Sequence, residues 1–92
     1  MRAIDPERAV ADFGRRVAEE RTRHGWTQAE FAARAEVSLR YAQHIEAGYQ
    51  NVSITTAVRF ANALDVPLWT LFKLPRTRRP KRGRPRGASR LT

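Results

Sequence analysis

A chain of 92 residues without cysteine makes one small domain with room for a short appendage, and it offers no disulfide framework and no thiolate to a metal. Its formal charge of +9 is uneven: residues 1–74 carry ten Lys/Arg against nine Asp/Glu, whereas residues 75–92 carry eight Lys/Arg and no acid. No apolar run approaches the ~18 residues that cross a bilayer, and MRAIDPERAV at the amino terminus holds no apolar segment of signal-peptide length, so a soluble cytoplasmic protein with no membrane partner is expected.

The first helix opens at Asp5-Pro6-Glu7. Asp5 suits the cap, Pro6 the first helical position and Glu7 the positive end of the dipole. Phe13 and Val17 repeat at i, i+4, with Ala9 and Val10 one turn earlier, and Gly25 can take the left-handed stop after His24. WTQAEF then gives a second start: Thr27 caps, Glu30 completes a capping box, and Trp26 with Phe31 forms a hydrophobic staple. That helix runs to about Ala35 and turns Phe31, Ala32 and Ala35 inward.

A third cap, Ser38, opens SLRYAQHIEAG. Ala42 and Ile45 face the core, Gly48 ends the helix, and Leu39, Arg40, Gln43 and His44 are left on the outward face. Two short helices joined by about three residues form a helix-turn-helix unit. A fourth helix follows Ser53, with Ile54, Ala57, Val58, Ala61 and Leu64 as its apolar stripe. A fifth and last is short, with Pro67 near its start, then Leu68, Leu71 and Phe72, and Pro75 at its end. No period-two strand pattern exists, so the expected class is all-α: a five-helix domain over residues 1–74 and a disordered basic tail over 75–92.

WTQAEFA, AxVSxxYxxxIEAG from Ala35 to Gly48, and LDVPLWTLF together resemble the lambda-repressor-like, Cro-type helix-turn-helix family of the xenobiotic-response-element class. The resemblance covers residues 12–74. It implies double-stranded DNA as partner, with residues 38–47 as the recognition helix in the major groove. It places Leu39, Arg40 and His44 at base-facing positions with Gln43 beside them, and Gln28 at a phosphate. The cap residues Thr27 and Ser38, and Tyr41, are further phosphate candidates. Glu46 is structural in this family. Glu36 and Asp65 stand where the family often has glycine, and a non-glycine residue at positive φ costs roughly 1–2 kcal/mol.

The side chains suit that task. Arg40 can donate two hydrogen bonds to guanine O6 and N7, Gln43 can pair with adenine in the same way, and Leu39 can meet a thymine methyl. Each is also an ordinary solvated surface residue on the bland reading. His24 and His44 share no visible constellation with an acid and a nucleophile, and two histidines without cysteine make no convincing metal set, so no enzyme activity, cofactor or small-molecule ligand is expected.

The tail has too few apolar side chains to offset its ordering entropy by burial, so residues 76–92 are expected to be disordered when free and to seek a polyanion. Within it, Arg82-Gly83-Arg84-Pro85, flanked by Lys81 and Arg86, resembles the AT-hook, over residues 81–87. Gly83 lets the backbone lie on a groove floor, Pro85 keeps the chain extended, and the two arginines can follow a narrow A/T minor groove. The bland reading is a generic basic tail that touches phosphates anywhere. The expected function is sequence-specific transcriptional regulation, with repression favoured. An architectural nucleoid protein and an antitoxin-type module are the alternatives. A second copy of the chain is a further candidate partner, through the face carrying Trp69 and Phe72, unless those residues complete the core.

Overall fold

The computed structural model describes residues 3–77, which form α1 (Pro6–Arg23), α2 (Gln28–Ala35), α3 (Leu39–Ala47), α4 (Ile54–Leu64) and a 3-10 turn over Leu68–Phe72. No strand occurs among the described residues. The expected fifth α-helix is thus corrected to a 3-10 turn. Five residues beginning after Pro67 are too few to repay the nucleation of an α-helix, and Pro75 turns the preceding backbone away from helical geometry. The motif at 81–87 lies outside the described residues.

Every α-helix begins on the side-chain cap that its sequence announces. Asp5 accepts from the Glu7 amide, Thr27 from Glu30, Ser38 from Tyr41 and Ser53 from Thr56. At Thr27 the box is reciprocal, because the Glu30 carboxylate accepts from the Thr27 amide at 2.8 Å. The four α-helices also end alike. Gly25, Glu36, Gly48 and Asp65 take φ of 78°, 61°, 83° and 59°. The next residue in each case, Trp26, Val37, Tyr49 or Val66, donates its amide to a carbonyl five residues back. This satisfies the last free carbonyls and folds an apolar side chain back toward the helix. Glu36 and Asp65 therefore hold the left-handed conformation without being glycine.

The core is continuous through all five elements. Val17, Phe31, Ile45, Phe60, Leu64 and Leu71 are its largest fully buried side chains. The Phe31 and Phe60 rings meet edge to face at 5.0 Å, a favoured aromatic geometry. On α4 the buried set is Ala57, Phe60, Ala61 and Leu64, while Ile54 and Val58 are exposed. The stripe expected from the sequence was rotated toward the wrong side. Apolar residues occupy so wide an arc of this helix that two different faces satisfy the 3.6-residue spacing. Ala9 is likewise exposed and Val10 half-buried.

Candidate nucleic-acid interface

The helix-turn-helix pair is clamped from behind by α1. The clamp rests on Gly14, where an added Cβ would lie 2.0 Å from the Ile45 carbonyl oxygen. Only a residue without a side chain lets the backbones of α1 and α3 approach this closely. At the far end of α3 the same closeness recurs, with a Cβ at Gly48 falling 3.1 Å from Ala11 Cα.

A charged joint fixes the same contact. Arg21 on α1 donates from Nε to Glu46 Oε2 at 2.7 Å and from Nη2 to Glu46 Oε1 at 3.1 Å. Its Nη1 donates to the Trp26 carbonyl at 2.8 Å. The Glu46 carboxylate is buried, so this bidentate pair is worth little as net stability, yet removing one partner strands a buried charge and costs about 3–5 kcal/mol. Glu46 thus has the structural role that the resemblance gave it. Arg21 was not foreseen, since nothing in its local sequence marks a partner 25 residues away.

With α3 held on two sides, its other face is open. Leu39, Arg40, Gln43 and His44 are all exposed, and Ala42 and Ile45 are buried. The four predicted base-facing residues therefore lie together on one exposed surface of a single helix. Tyr41 is half-buried and packs against the core, so it steadies the helix. Thr27 and Ser38 stand exposed at the starts of α2 and α3. Each hydroxyl oxygen accepts one backbone amide, at 3.0 Å in both helices, and each keeps its own proton to donate. Gln28 is half-buried and turns inward: its Nε2 donates to Glu46 Oε1 at 3.0 Å, and its Oε1 accepts from Gln43 Nε2 at 3.4 Å.

The entrance to α2 is braced by aromatic stacking. Trp26 lies between the His24 ring, 4.2 Å away and nearly parallel, and the Arg34 guanidinium, 4.2 Å from its centroid. His24 Nε2 stands 2.8 Å from the Leu64 carbonyl oxygen and so carries the proton that it donates. His24 therefore ties the end of α1 to the end of α4. His44 instead stands edge-on to the Tyr49 ring at 6.3 Å. Among the described residues no group of three or more metal-ligating side chains converges, and no helix is long and apolar enough to cross a membrane.

Beyond the 3-10 turn the chain folds back on α1. The Thr77 amide and hydroxyl both donate to Glu19 Oε2, and Arg15 Nε donates to the Thr77 carbonyl at 3.1 Å and to Oγ1 at 2.9 Å. The segment read from composition as a free tail is held at its first residues. Trp69 and Phe72 are exposed, while Leu71 between them is fully buried, so only Leu71 belongs to the core proper. Lys73 Nζ lies 5.7 Å from the Trp69 ring, and the Phe72 ring packs 5.3 Å from Phe13 at the core margin.

The comparisons with known proteins agree with this geometry. A helix-turn-helix family model matches residues 17–68. The restriction-modification controller protein C.AhdI from Aeromonas hydrophila is 33% identical in sequence, with a TM-score of 0.67, over 68% of this chain and 96% of that one. A hypothetical transcription factor, NHTF from Neisseria, shares the fold with a TM-score of 0.72 at 23% identity, over 85% of this chain and 90% of its own. No curated protein sequence matches the chain significantly. The family match takes in α2, the turn and α3 entire, together with the part of α1 that carries Arg21: the chain belongs to the helix-turn-helix family.

Proposed function

We propose that this protein is a sequence-specific DNA-binding transcriptional regulator, acting as a repressor, with α3 as its reading element. The observation that carries this reading is the open row of Leu39, Arg40, Gln43 and His44 on a helix fixed to its scaffold by backbone contact at Gly14 and by the Arg21–Glu46 pair. A rigid helix of this width fits the major groove of B-form DNA, where a guanidinium and an amide can each make paired contacts to one base. Thr27, Ser38, Gln28 and Tyr41 would position the domain on the phosphates. The names of the controller protein and the transcription factor point the same way.

Residues 81–87 would add a second contact, in an adjacent A/T-rich minor groove, through Lys81, Arg82, Gly83, Arg84, Pro85 and Arg86. Tethering makes that contact effectively intramolecular and raises affinity by ~10²–10⁴ without a new domain. A second copy of the chain would cover the exposed apolar side chains Trp69 and Phe72, and Ile54 and Val58 on α4. Selection of bound sites from random duplexes, with and without the tail, tests the whole reading. A narrow consensus that keeps its core after tail removal supports a regulator. A shallow A/T preference that vanishes with the tail would make the protein architectural instead.

A further inference from the structure

The chain leaves the folded domain on α1, behind the exposed row of α3. Arg76 and Thr77 present successive backbone amides to the Glu19 carboxylate, and the Thr77 carbonyl oxygen accepts from Arg15 Nε at 3.1 Å. Arg15 and Glu19 lie one helical turn apart on one side of α1. The backbone therefore runs from the level of Glu19 to that of Arg15, toward the amino-terminal end of α1. Pro75, buried just before, fixes the approach. One further turn along α1 stands Ala11, whose Cα would lie 3.1 Å from a Cβ added at Gly48. Gly48 closes the carboxyl-terminal end of α3. The clasp thus releases the chain beside the end of α3 that carries His44.

We infer that residues 78–92 pass round the His44 end of α3, so that Lys81, Arg82, Arg84 and Arg86 meet the duplex on the flank of the site nearer His44 and not on the flank nearer Leu39. Leu39, Arg40, Gln43 and His44 lie opposite the buried Ala42 and Ile45, and α1 backs that inner side at Gly14. A tail that starts on α1 must round one end of α3 to reach the same duplex. From Leu39 to Ala47 α3 is about 12 Å long. Five residues from Thr77 to Arg82 could span about 16 Å. The near end is within that span, whereas the detour to the far end consumes most of it. The far end is also occupied, because the turn at 36–38 joins it to α2. The inference rests on the tail contact proposed above and gives that contact a side.

The chain has no cysteine, so Ser89→Cys gives the full chain a single thiol for a tethered iron chelate that cleaves nearby DNA. The duplex is one selected by the wild type, with A/T tracts on both flanks. Arg40→Ala and His44→Ala each lose preference at a base pair, and the order of the two gives the polarity of α3 on the site; Leu39→Ala or Gln43→Ala replaces one that is silent. Cleavage is expected to be about tenfold stronger on the His44 flank, because the tether concentrates the tail there. Equal cleavage on both flanks, or stronger cleavage on the Leu39 flank, overturns the inference. Glu19→Gln with Thr77→Val should even out the two flanks, and a preference that survives this pair of changes also overturns it. Should that variant not fold, the flank ratio with the clasp intact decides. If the His44 flank is cut as strongly with G/C as with A/T tracts, the minor-groove reading of residues 81–87 fails and the exit path stands. If the chain binds its duplex and cleaves neither flank, both tail readings fall while α3 survives as the reader. If the wild type selects no sequence, all of them fall together.

Discussion

Thr77 is bound to Glu19 through both its amide and its hydroxyl, 58 residues apart in sequence. The bond closes the chain onto α1 just where the basic segment begins. Burial pushes the Glu19 carboxyl up, but hydrogen bonds from the Thr77 hydroxyl and amide, from Arg16 and from the Arg76 amide outweigh it and lower the pKa to about 2. Because the folded value is depressed, this stabilisation is present above the unfolded value of 4.5 and is lost as pH falls toward 2. Glu20 is shifted in the same direction: burial raises it, and Arg23 and Arg16 lower it by more. Glu19→Gln should therefore flatten part of the acid-induced loss of stability below about pH 4.5. Thermal unfolding of both proteins across that range measures it, and identical pH profiles would show that the clasp contributes nothing.

The clasp also sets how far the tail can reach. At the polyproline II rise, eight residues from Leu74 to Arg82 could span about 25 Å, whereas five residues from a pinned Thr77 could span about 16 Å. One DNA turn is about 34 Å. If residues 81–87 enter an A/T minor groove as proposed, Thr77→Val and Glu19→Gln should alter the spacing between the α3 site and that tract that gives tightest binding, moving the optimum outward. Affinities measured on duplexes with the tract set at successive distances would reveal the shift.

Deleting residues 78–92 removes seven basic side chains and leaves Thr77 in place. If about four of them neutralise phosphates, the slope of log K against log salt should fall by roughly 3 to 4. An unchanged slope would take the tail out of the binding mechanism.

Gly14→Ala tests the joint behind α3. The new methyl would meet a main-chain carbonyl, which no rotamer change can relieve, so α1 and α3 must part. A loss of about 3 kcal/mol in chemical denaturation is expected. Glu36→Gly and Asp65→Gly should act in the opposite sense, each adding about 0.5–1 kcal/mol, because relief of the left-handed strain exceeds the entropy that glycine costs.

Helix starts were legible in the sequence because capping is local: Asp5, Thr27, Ser38 and Ser53 each act on an amide two or three residues away. The outward row on α3 was legible for a similar reason, since Ala42 and Ile45 fix the inner face and everything opposite must point out. Gly14 was not legible, because its need comes from the Ile45 carbonyl 31 residues on, and a glycine within a helix carries no mark of what approaches it. The same holds for Arg21, whose charge is one of many until Glu46 is brought to it. Phe60 was missed because Ile54 and Val58 fit the periodicity equally well, and only packing against Phe31 decides which arc is buried.

On the proposed function, α3 meets DNA by its exposed row. A titration of the isotopically labelled full chain with a selected duplex at low ionic strength tests this directly. Signals of Leu39, Arg40, Gln43 and His44 should move most, with Thr27, Gln28 and Ser38 beside them, and the core around Phe60 should move little. Formation of a complex that leaves those α3 signals unmoved, or no complex with any duplex, would contradict it.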